Sequence, residues 1–296
     1  MLMIEVLLAT VIGILGVLLS PLLDGIERKL RATIQSRIGP PVMQTWYDIR
    51  KLFAKERQAP PGFSYTVYML YLSFVLSLSA LVVMPLAGVL RGVSGLALVA
   101  VLYTLAQSAS VITPMTTYNP FAFIGASREI MIMLVNEACT LLALGLLGMY
   151  HHSSDLSSLA GVEATPSYML VAALLLIAGY VSSSRIPYDL AEAEPELASG
   201  VLIEFGGPYL ALYMLSIYIR RFATKYIASY VLLAPFIASP HLLTAISLVT
   251  ACLLWICYAA FAQIVGRSRV DVAPLTLFKL YLPILLASLL LRALGM

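Results

Sequence analysis

Long runs of apolar residues, separated by short polar stretches, dominate the pattern along this chain. The first run covers 3–23. Seven more runs follow, at 66–90, 95–117, 129–150, 167–183, 200–221, 241–264 and 274–294. Each run is close to the length that a helix needs to cross about 30 Å of hydrocarbon. The pattern therefore predicts an all-α, polytopic membrane protein with about eight transmembrane helices, forming a single integral membrane domain over 1–296.

Two stretches differ from these runs. Within 42–56, apolar residues recur at helical spacing, namely Val42, Trp46, Ile49 and Phe53. With charged residues on the other side, this pattern is typical of an amphipathic helix in the membrane interface, and a surface helix of a cytoplasmic loop is the alternative. The run 226–239 contains Pro235 and precedes Pro240. We expect an interfacial segment there, and a ninth short span is the alternative.

Composition agrees with a membrane protein and argues against a resident cofactor. Only 11% of the residues are charged and 61% are hydrophobic, whereas soluble proteins carry about 25% charged residues. The three cysteines lie in apolar runs without a metal-binding spacing. No Gly-rich phosphate loop or dinucleotide fingerprint is present. We therefore expect no redox cofactor in this chain and no nucleic-acid partner.

The placement of basic residues predicts the orientation in the membrane. Eight of the eighteen Lys and Arg residues lie in 24–65. With eight spans, the side that holds 24–65 carries twelve basic residues and the opposite side carries five. Because cytoplasmic loops are enriched in Lys and Arg, this bias places 24–65 in the cytoplasm and the N-terminus outside. Arg220, Arg221 and Lys225 run against the trend, as snorkelling residues at a helix end.

An acidic cluster is the most unusual feature of the chain. Five of its fifteen acidic residues fall within sixteen positions, namely Asp189, Glu192, Glu194, Glu196 and Glu204. Pro187 ends the fifth span and Pro195 suits the first turn of the next helix. Carboxylates gathered at a helix N-terminus should titrate as a coupled group that can exchange protons. The alternative is a solvated acidic loop paired with Arg185.

Two acids are predicted to lie inside spans, where carboxylates usually mark an ion path. Glu204 is expected about two turns inside the helix that starts near Pro195. There, Pro208 would free the carbonyl of Glu204 from its helical hydrogen bond and make room for water. Glu137 is expected in the fourth span. We interpret it as a relay carboxylate, and a structural pairing with a neighbouring helix is the alternative.

Two motifs together resemble one family. The stretch from Arg185 to Leu197, R-x-P-Y-D-L-x-E-x-E-x-E-L, resembles the signature of subunit 1 of respiratory complex I and of its relatives in energy-converting, membrane-bound [NiFe]-hydrogenases. The stretch 27–56 is similar to the first loop of that family, with E-R-K, Q-x-R-x-G-P and D-x-x-K-L. Gly39-Pro40 leads directly into the amphipathic helix, and this shorter form resembles the hydrogenase branch.

The resemblance implies a membrane anchor that has no redox centre of its own. Its loops 24–65 and 184–199 would form a cytoplasmic face for a hydrogenase-like large subunit and an iron–sulfur small subunit, which would hold the [NiFe] centre and the clusters. Docking residues on this interpretation are Glu27, Arg28, Lys29, Arg37, Asp48, Arg50, Lys51 and Arg185. The six acids named above would carry the coupling ion, a proton or sodium, toward antiporter-like membrane subunits.

Two alternatives to this interpretation stay open. The chain could be the quinone-site subunit of a complex I-type dehydrogenase, in which case a quinone is a further ligand. A free-standing transporter is less favoured, because the chain has no internal repeat and has a large basic loop. The expected location is the plasma membrane of a prokaryote.

Overall fold

The computed structural model describes residues 2–57, 63–89, 95–151, 155–191 and 200–295. All regular structure within these ranges is helical. The α-helices are α1 (Leu2–Ile34), α2 (Gln44–Phe53), α3 (Phe63–Val89), α4 (Gly95–Met115), α5 (Pro120–His151), α6 (Pro166–Val181), α7 (Gly207–Leu233), α8 (Pro240–Phe261) and α9 (Ala273–Ala293). Short 3-10 turns lie at Leu156–Leu159, Gly200–Leu202 and Ala234–Phe236.

The polytopic helical architecture predicted from the sequence is confirmed. Six of the helices, α1, α3, α4, α5, α8 and α9, are long and apolar enough to cross a membrane. Helix α6 is apolar but has 16 residues, and α7 has 27 residues with three bases along its length. Helix α2 coincides with the predicted amphipathic segment. The number of spans, eight, stays a prediction.

Helix α1 continues beyond the apolar run that predicted it. The run ends at Asp24, whereas the helix ends at Ile34. Charged side chains one turn apart pair along the extension, with Arg28 Nε 3.0 Å from Asp24 Oδ2 and Arg31 Nη2 3.8 Å from Glu27 Oε1. Such pairs stabilise a helix where the membrane no longer does.

Prolines mark where several helices begin. Pro120, Pro166, Pro208 and Pro240 each lie in the first turn of a helix, where the missing N–H costs no hydrogen bond. Polar residues cap two of these starts: Asn119 Oδ1 accepts from the Phe121 N–H at 2.8 Å, and Thr165 Oγ1 accepts from the Tyr168 N–H at 3.3 Å.

Helix α7 corrects the prediction for 200–239. One continuous helix runs from Gly207 to Leu233, so 226–239 is neither a separate interfacial segment nor a ninth span. Arg220, Arg221 and Lys225 therefore lie in the middle of a helix and not at its end. With these three removed, the outer side retains only Arg91 and Arg292, and the positive-inside bias that predicted the orientation becomes stronger.

Helix α7 can hold three bases because other helices surround it. It packs against α1, α3, α4, α6 and α8. Tyrosines tie it to these neighbours: Tyr213 donates to the Ser110 carbonyl at 2.9 Å, and Tyr230 donates to the Gly88 carbonyl at 3.1 Å. Its bases therefore face protein and not lipid, which is the arrangement that charged residues need in a membrane.

Candidate functional site

A cavity of about 560 Å³ opens at the end of the bundle between α1, α7 and the loops after α6 and α8. Eight charged side chains line it: Asp24, Glu27, Arg28, Arg31, Arg185, Asp189, Arg221 and Arg267. Five are arginines and three are carboxylates. A cavity with this lining is suited to water and ions, and we take it as the candidate functional site.

A buried ion pair forms the floor of the cavity. Arg185 donates from Nη2 to Glu27 Oε2, and the two residues are only 4% and 5% exposed. Trp255 Nε1 donates to the same carboxylate oxygen at 2.9 Å. Burial lowers the pKa of Arg185 from its ordinary value, and the Glu27 carboxylate opposes this shift. The pair therefore keeps a charged guanidinium stable in the interior.

A second ionic group fastens α2 to the end of α1. Arg28 Nη1 donates to Asp48 Oδ2 at 2.8 Å, and its Nε lies 3.0 Å from Asp24. Thr45 Oγ1 donates to Asp24 Oδ2 at 2.8 Å. Gly25 permits this close approach, since a Cβ there would lie 1.8 Å from the Val42 carbonyl oxygen. The amphipathic helix is thus held rigidly beside the cavity.

The eight predicted docking residues divide into two sets. Lys29, Arg37, Arg50 and Lys51 are exposed, and they form what we call the basic surface. Arg28 and Asp48 are half-buried and paired with each other. Glu27 and Arg185 are buried in the ion pair described above. The basic surface is therefore the fully exposed part of the predicted docking set.

The structure changes the interpretation of Glu204. The residue lies in a turn between the 3-10 segment Gly200–Leu202 and the start of α7 at Gly207, and not two turns inside a helix. Pro208 is in the first turn of α7, so it removes no hydrogen bond from the Glu204 carbonyl. Instead, the Glu204 side chain accepts a hydrogen bond from Asn119 Nδ2 at the start of α5. The predicted backbone opening at Glu204 is wrong.

The other acids of the cluster are described only in part. Asp189 lines the cavity and pairs with Arg267, whose Nη2 lies 3.1 Å from Asp189 Oδ2. Ser268 Oγ also donates to the Pro187 carbonyl, at 2.7 Å, so the loop after α8 covers the loop after α6. The remaining acids of the predicted cluster, Glu192, Glu194 and Glu196, lie outside the described residues.

Two small polar spaces share lining residues with the cavity. One, of about 10 Å³, is lined by Asp189, Glu129 and Arg220. The other, also about 10 Å³, is lined by Glu129 and Asn136. Each is close to the volume that one water molecule needs. Ser184 lines the cavity and both small spaces. The three therefore form a series of neighbouring spaces, one of which is lined by Asn136, the neighbour of Glu137.

Glu137 is buried inside the bundle, as expected for an acid in the fourth span, α5. It is 7% exposed, and its polar neighbours are Tyr103, Asn136 and Arg220. Neither of its carboxylate oxygens has a well-formed hydrogen bond to a described residue. Its role as a relay carboxylate stays a prediction.

Sequence reasoning missed the buried bases opposite these acids. Arg220 is 3% exposed, and its Nε and Nη1 atoms have no hydrogen-bond partner among the described residues. Lys225 is 0% exposed and donates to Ser183 Oγ at 2.8 Å and to the Arg221 carbonyl at 2.9 Å. A base in an apolar run was the signal that could have found them, because it requires a partner inside the membrane.

Metal ligands are not grouped in the part of the chain that the structure describes, since no three His, Cys, Asp or Glu side chains come together there.

Comparison with known proteins identifies the family. The sequence profile of the NADH dehydrogenase family matches residues 6–293. The chain belongs to this family. Because the match extends over nearly the whole chain, it covers both the cavity and the buried bases. The resemblance to subunit 1 of complex I that the two motifs indicated is thereby confirmed.

Curated members of the NADH dehydrogenase family include both branches that the sequence suggested. The chain is 32% identical to hydrogenase-4 component C of Escherichia coli over 70% of its own length and 69% of that protein. It is 32% identical to formate hydrogenlyase subunit 4 of the same organism, over 64% of each chain. It is 28% identical to an NADH-quinone oxidoreductase subunit of Rhodopseudomonas palustris, over 91% and 89% of the two chains.

A solved structure shares the fold of this family member. It is the membrane-bound sulfane sulfur reductase, an archaeal respiratory membrane complex. One of its chains superposes with a TM-score of 0.77 at 22% identity, covering 95% of this chain and 97% of that one. At this identity the similarity supports the arrangement of helices and nothing finer.

Proposed function

We propose that this chain is the membrane anchor and ion-coupling subunit of a membrane-bound, hydrogenase-type respiratory complex linked to ferredoxin. It docks soluble redox subunits, which hold the [NiFe] centre and iron–sulfur clusters. Electron transfer in those subunits drives protons or sodium ions across the membrane through the carboxylates of this chain. The relatives that support this proposal are the hydrogenase-4 and formate hydrogenlyase components.

The observation that carries the proposal is the position of the charged cavity. Arg28 lines the cavity and pairs with Asp48 of α2, which carries part of the basic surface. Ser184 lines both the cavity and the small space beside Asn136, the neighbour of Glu137. A charge change in a partner docked on this face reaches the Glu27–Arg185 pair directly, because that pair lines the cavity. Charges in a water-poor interior interact strongly, so such a change can shift proton occupancy along the series.

Electrostatics supports the docking half of the proposal. Lys29, Arg37, Arg50 and Lys51 are exposed on the same end of the molecule as the cavity. Complementary charge guides and orients protein partners. On the predicted orientation this end faces the cytoplasm, the N-terminus lies outside, and the complex belongs to the plasma membrane of a prokaryote. Antiporter-like subunits beside the chain in the membrane would receive the ion.

A quinone-site subunit is the second candidate, and the NADH-quinone oxidoreductase relatives favour it. Eight of the fifteen residues that line the cavity are charged, which favours the ion path of the first candidate, whereas Ile186, Met214 and Ile217 in the same lining could contact an apolar ligand. Purified native complex would separate the two. The first predicts hydrogen evolution from reduced ferredoxin with ion uptake into vesicles, and the second predicts quinone reduction. Quinone reduction without hydrogen evolution would overturn the first.

A further inference from the structure

Lys279 of α9 is a charged residue that no described side chain neutralises. Helix α9 is one of the six helices long and apolar enough to cross a membrane, and fewer of its residues are buried than in the other five. Lys279 lies six residues after Ala273, the first residue of α9, or about 9 Å along the helix axis. Its side chain is exposed and forms no hydrogen bond or ion pair with a described residue.

The buried side of α9 lies opposite Lys279. This side packs against α5 and α6, and its buried residues recur at helical spacing, namely Ala273, Leu277, Tyr281, Leu285 and Ser288. An α-helix turns by about 100° per residue, so Lys279 lies about 200° around the axis from Leu277. The lysine stem therefore starts on the side of α9 that faces away from the bundle.

The bases of α7 show how unusual this position is. Arg220 and Lys225 are buried because other helices surround α7, whereas Lys279 has no neighbouring helix of this chain on its side. A charged side chain in hydrocarbon is costly and normally pairs with an opposite charge or faces other protein. Lys279 therefore requires an anionic group that comes from outside this chain.

Exposed leucines place Lys279 within a regular stripe. Together with Lys279, this outer stripe of α9 consists of Leu275, Leu282, Leu286 and Leu289, which are all exposed. Successive members are four, three, four and three residues apart. This heptad spacing keeps the contact surface of one helix against another over several turns, and a single polar residue within it fixes the register of the pair. Membrane helices often pack in this way, crossing at about 20°.

We propose that the outer stripe of α9 binds a transmembrane helix of a neighbouring membrane subunit, and that an Asp or Glu of that helix pairs with Lys279. This inference rests on the part of the proposed function that places the chain among other membrane subunits. It goes beyond that function by naming the helix face and the charge of the partner, and it holds for either redox reaction of the complex.

Two other occupants fit the outer stripe less well. Two copies of this chain share one orientation in the membrane, so a symmetric pair through the stripe would place both Lys279 side chains at the same depth beside each other. The two ammonium groups would repel. A lipid phosphate could pair with a lysine that extends toward the membrane surface, but lipid contact does not require the heptad spacing of the leucines.

The opposite face of α9 reaches the interior of the bundle near Glu137. Tyr281 donates to Asn136 Oδ1 at 2.7 Å, and Asn136 precedes Glu137 on α5. Helix α9 thus lies between the outer stripe and α5. A partner helix seated on the outer stripe would be separated from α5 by this one helix, which is a suitable position for a subunit that exchanges an ion with this chain.

Site-specific cross-linking in the native membrane complex tests the proposal. A photoreactive phenylalanine derivative would replace Leu282 or Leu286, and mass spectrometry would identify the cross-linked peptides. We expect an apolar segment of another membrane subunit with an Asp or Glu within one helical turn of the attachment point. Leu280 is the matched control, because it is exposed but lies about 100° around α9 from Lys279. Adducts with lipid only, with a second copy of this chain, or with a segment lacking an acid would overturn the inference, as would equal cross-linking from Leu280.

Charge reversal gives an independent measurement. Lys279→Glu should cause loss of the neighbouring membrane subunit from the detergent-purified complex, whereas Lys279→Arg should retain it. Changing the partner's cross-linked acid to Lys should restore the subunit in the Lys279→Glu complex. An intact complex with Lys279→Glu would overturn the inference. Hydrogen evolution and ion uptake of the unaltered complex are measured separately, and their absence would overturn the proposed function while leaving the cross-link in place.

Discussion

Trp255 and Glu27 are 228 residues apart in sequence, yet the indole Nε1 of Trp255 donates a hydrogen bond to Glu27 Oε2 at 2.9 Å. Arg185 donates to the same oxygen from the loop after α6. One carboxylate therefore joins α1, α8 and that loop at the floor of the cavity. The ion pair and the indole together fix the relative positions of three segments that no local interaction connects.

Removing the cation of this pair should destabilise the protein strongly. Arg185→Met removes the buried cation that donates to Glu27 and leaves the carboxylate only the exposed Arg31, at 3.8 Å. Breaking a buried pair in this way costs about 3–5 kcal/mol. The double variant Glu27→Gln, Arg185→Met removes both charges and should recover much of that loss. Thermal unfolding of the detergent-purified complex checks this expectation. Equal stability of the single and double variants would contradict it.

Glu137, which is buried, and Glu204, which is half-buried, should show a split phenotype. Glu137→Gln and Glu204→Gln keep the size of each side chain and part of its hydrogen bonding, so assembly should survive. Ion uptake into inverted vesicles should fall sharply, and electron transfer should slow if coupling is tight. Glu163→Gln is the matched control, because Glu163 is exposed. Unchanged uptake in both variants would mean that these acids are structural.

Charge reversal on the basic surface tests docking. Arg50→Glu with Lys51→Glu should release soluble redox subunits from the membrane, because two exposed cations of α2 become anions. Arg50→Lys with Lys51→Arg preserves the charge and should keep the subunits bound. Washed membranes analysed for bound redox subunits provide the measurement. Retention of active subunits by the reversed variant would exclude this surface from docking.

Labelling can test the orientation. A cysteine at Ser158, which is exposed after α5, should react with an impermeant reagent from outside. One at Gln35, exposed after α1, should react only once the membrane is opened. The background would lack Cys139, Cys252 and Cys257. The reverse pattern would invert the proposed topology.

The contact between α1 and the segment before α2 should not tolerate even one methyl group. Gly25→Ala would place a Cβ 1.8 Å from the Val42 carbonyl oxygen, and we expect a loss of about 1–3 kcal/mol in the free energy of unfolding. Gly145→Ala is the control, since a Cβ there meets nothing within 4 Å. Thermal stability of the two variants should differ clearly, and equal stability would show that α2 can move away freely.

Long apolar runs were sufficient to predict most of the helices. A helix that crosses a membrane must be long and apolar, and both properties can be recognised in a short stretch of sequence. This signal was less reliable where a helix continues through charged residues. Helix α1 continues past Asp24 because charged pairs stabilise it. Helix α7 continues through three bases because its neighbours bury them. A count of apolar residues alone would place a helix end at both positions.

Pro208 illustrates the limit of local rules at the site. A proline can interrupt a helix or begin one, and the choice depends on what precedes it. Here Gly206 and Gly207 end an irregular turn, so Pro208 begins α7. The partner of Glu204, Asn119, is 85 residues away. The pairing of Glu27 with Arg185 spans 158 residues. Such contacts follow from the packing of whole helices and leave no signal in a single sequence.

The surroundings of Trp255 also make it suitable as an intrinsic fluorescent probe. The chain has only two tryptophans, and Trp46 lies on α2, away from the buried bases. Trp255 has the Arg185 guanidinium 5.1 Å from its ring centroid and the Lys225 ammonium at 4.4 Å. Replacing Trp46 with Phe would leave a single emitter, whose spectrum responds to the charge beside it. Its fluorescence would report changes in the charge or the position of the Arg185 and Lys225 side chains, without an added dye.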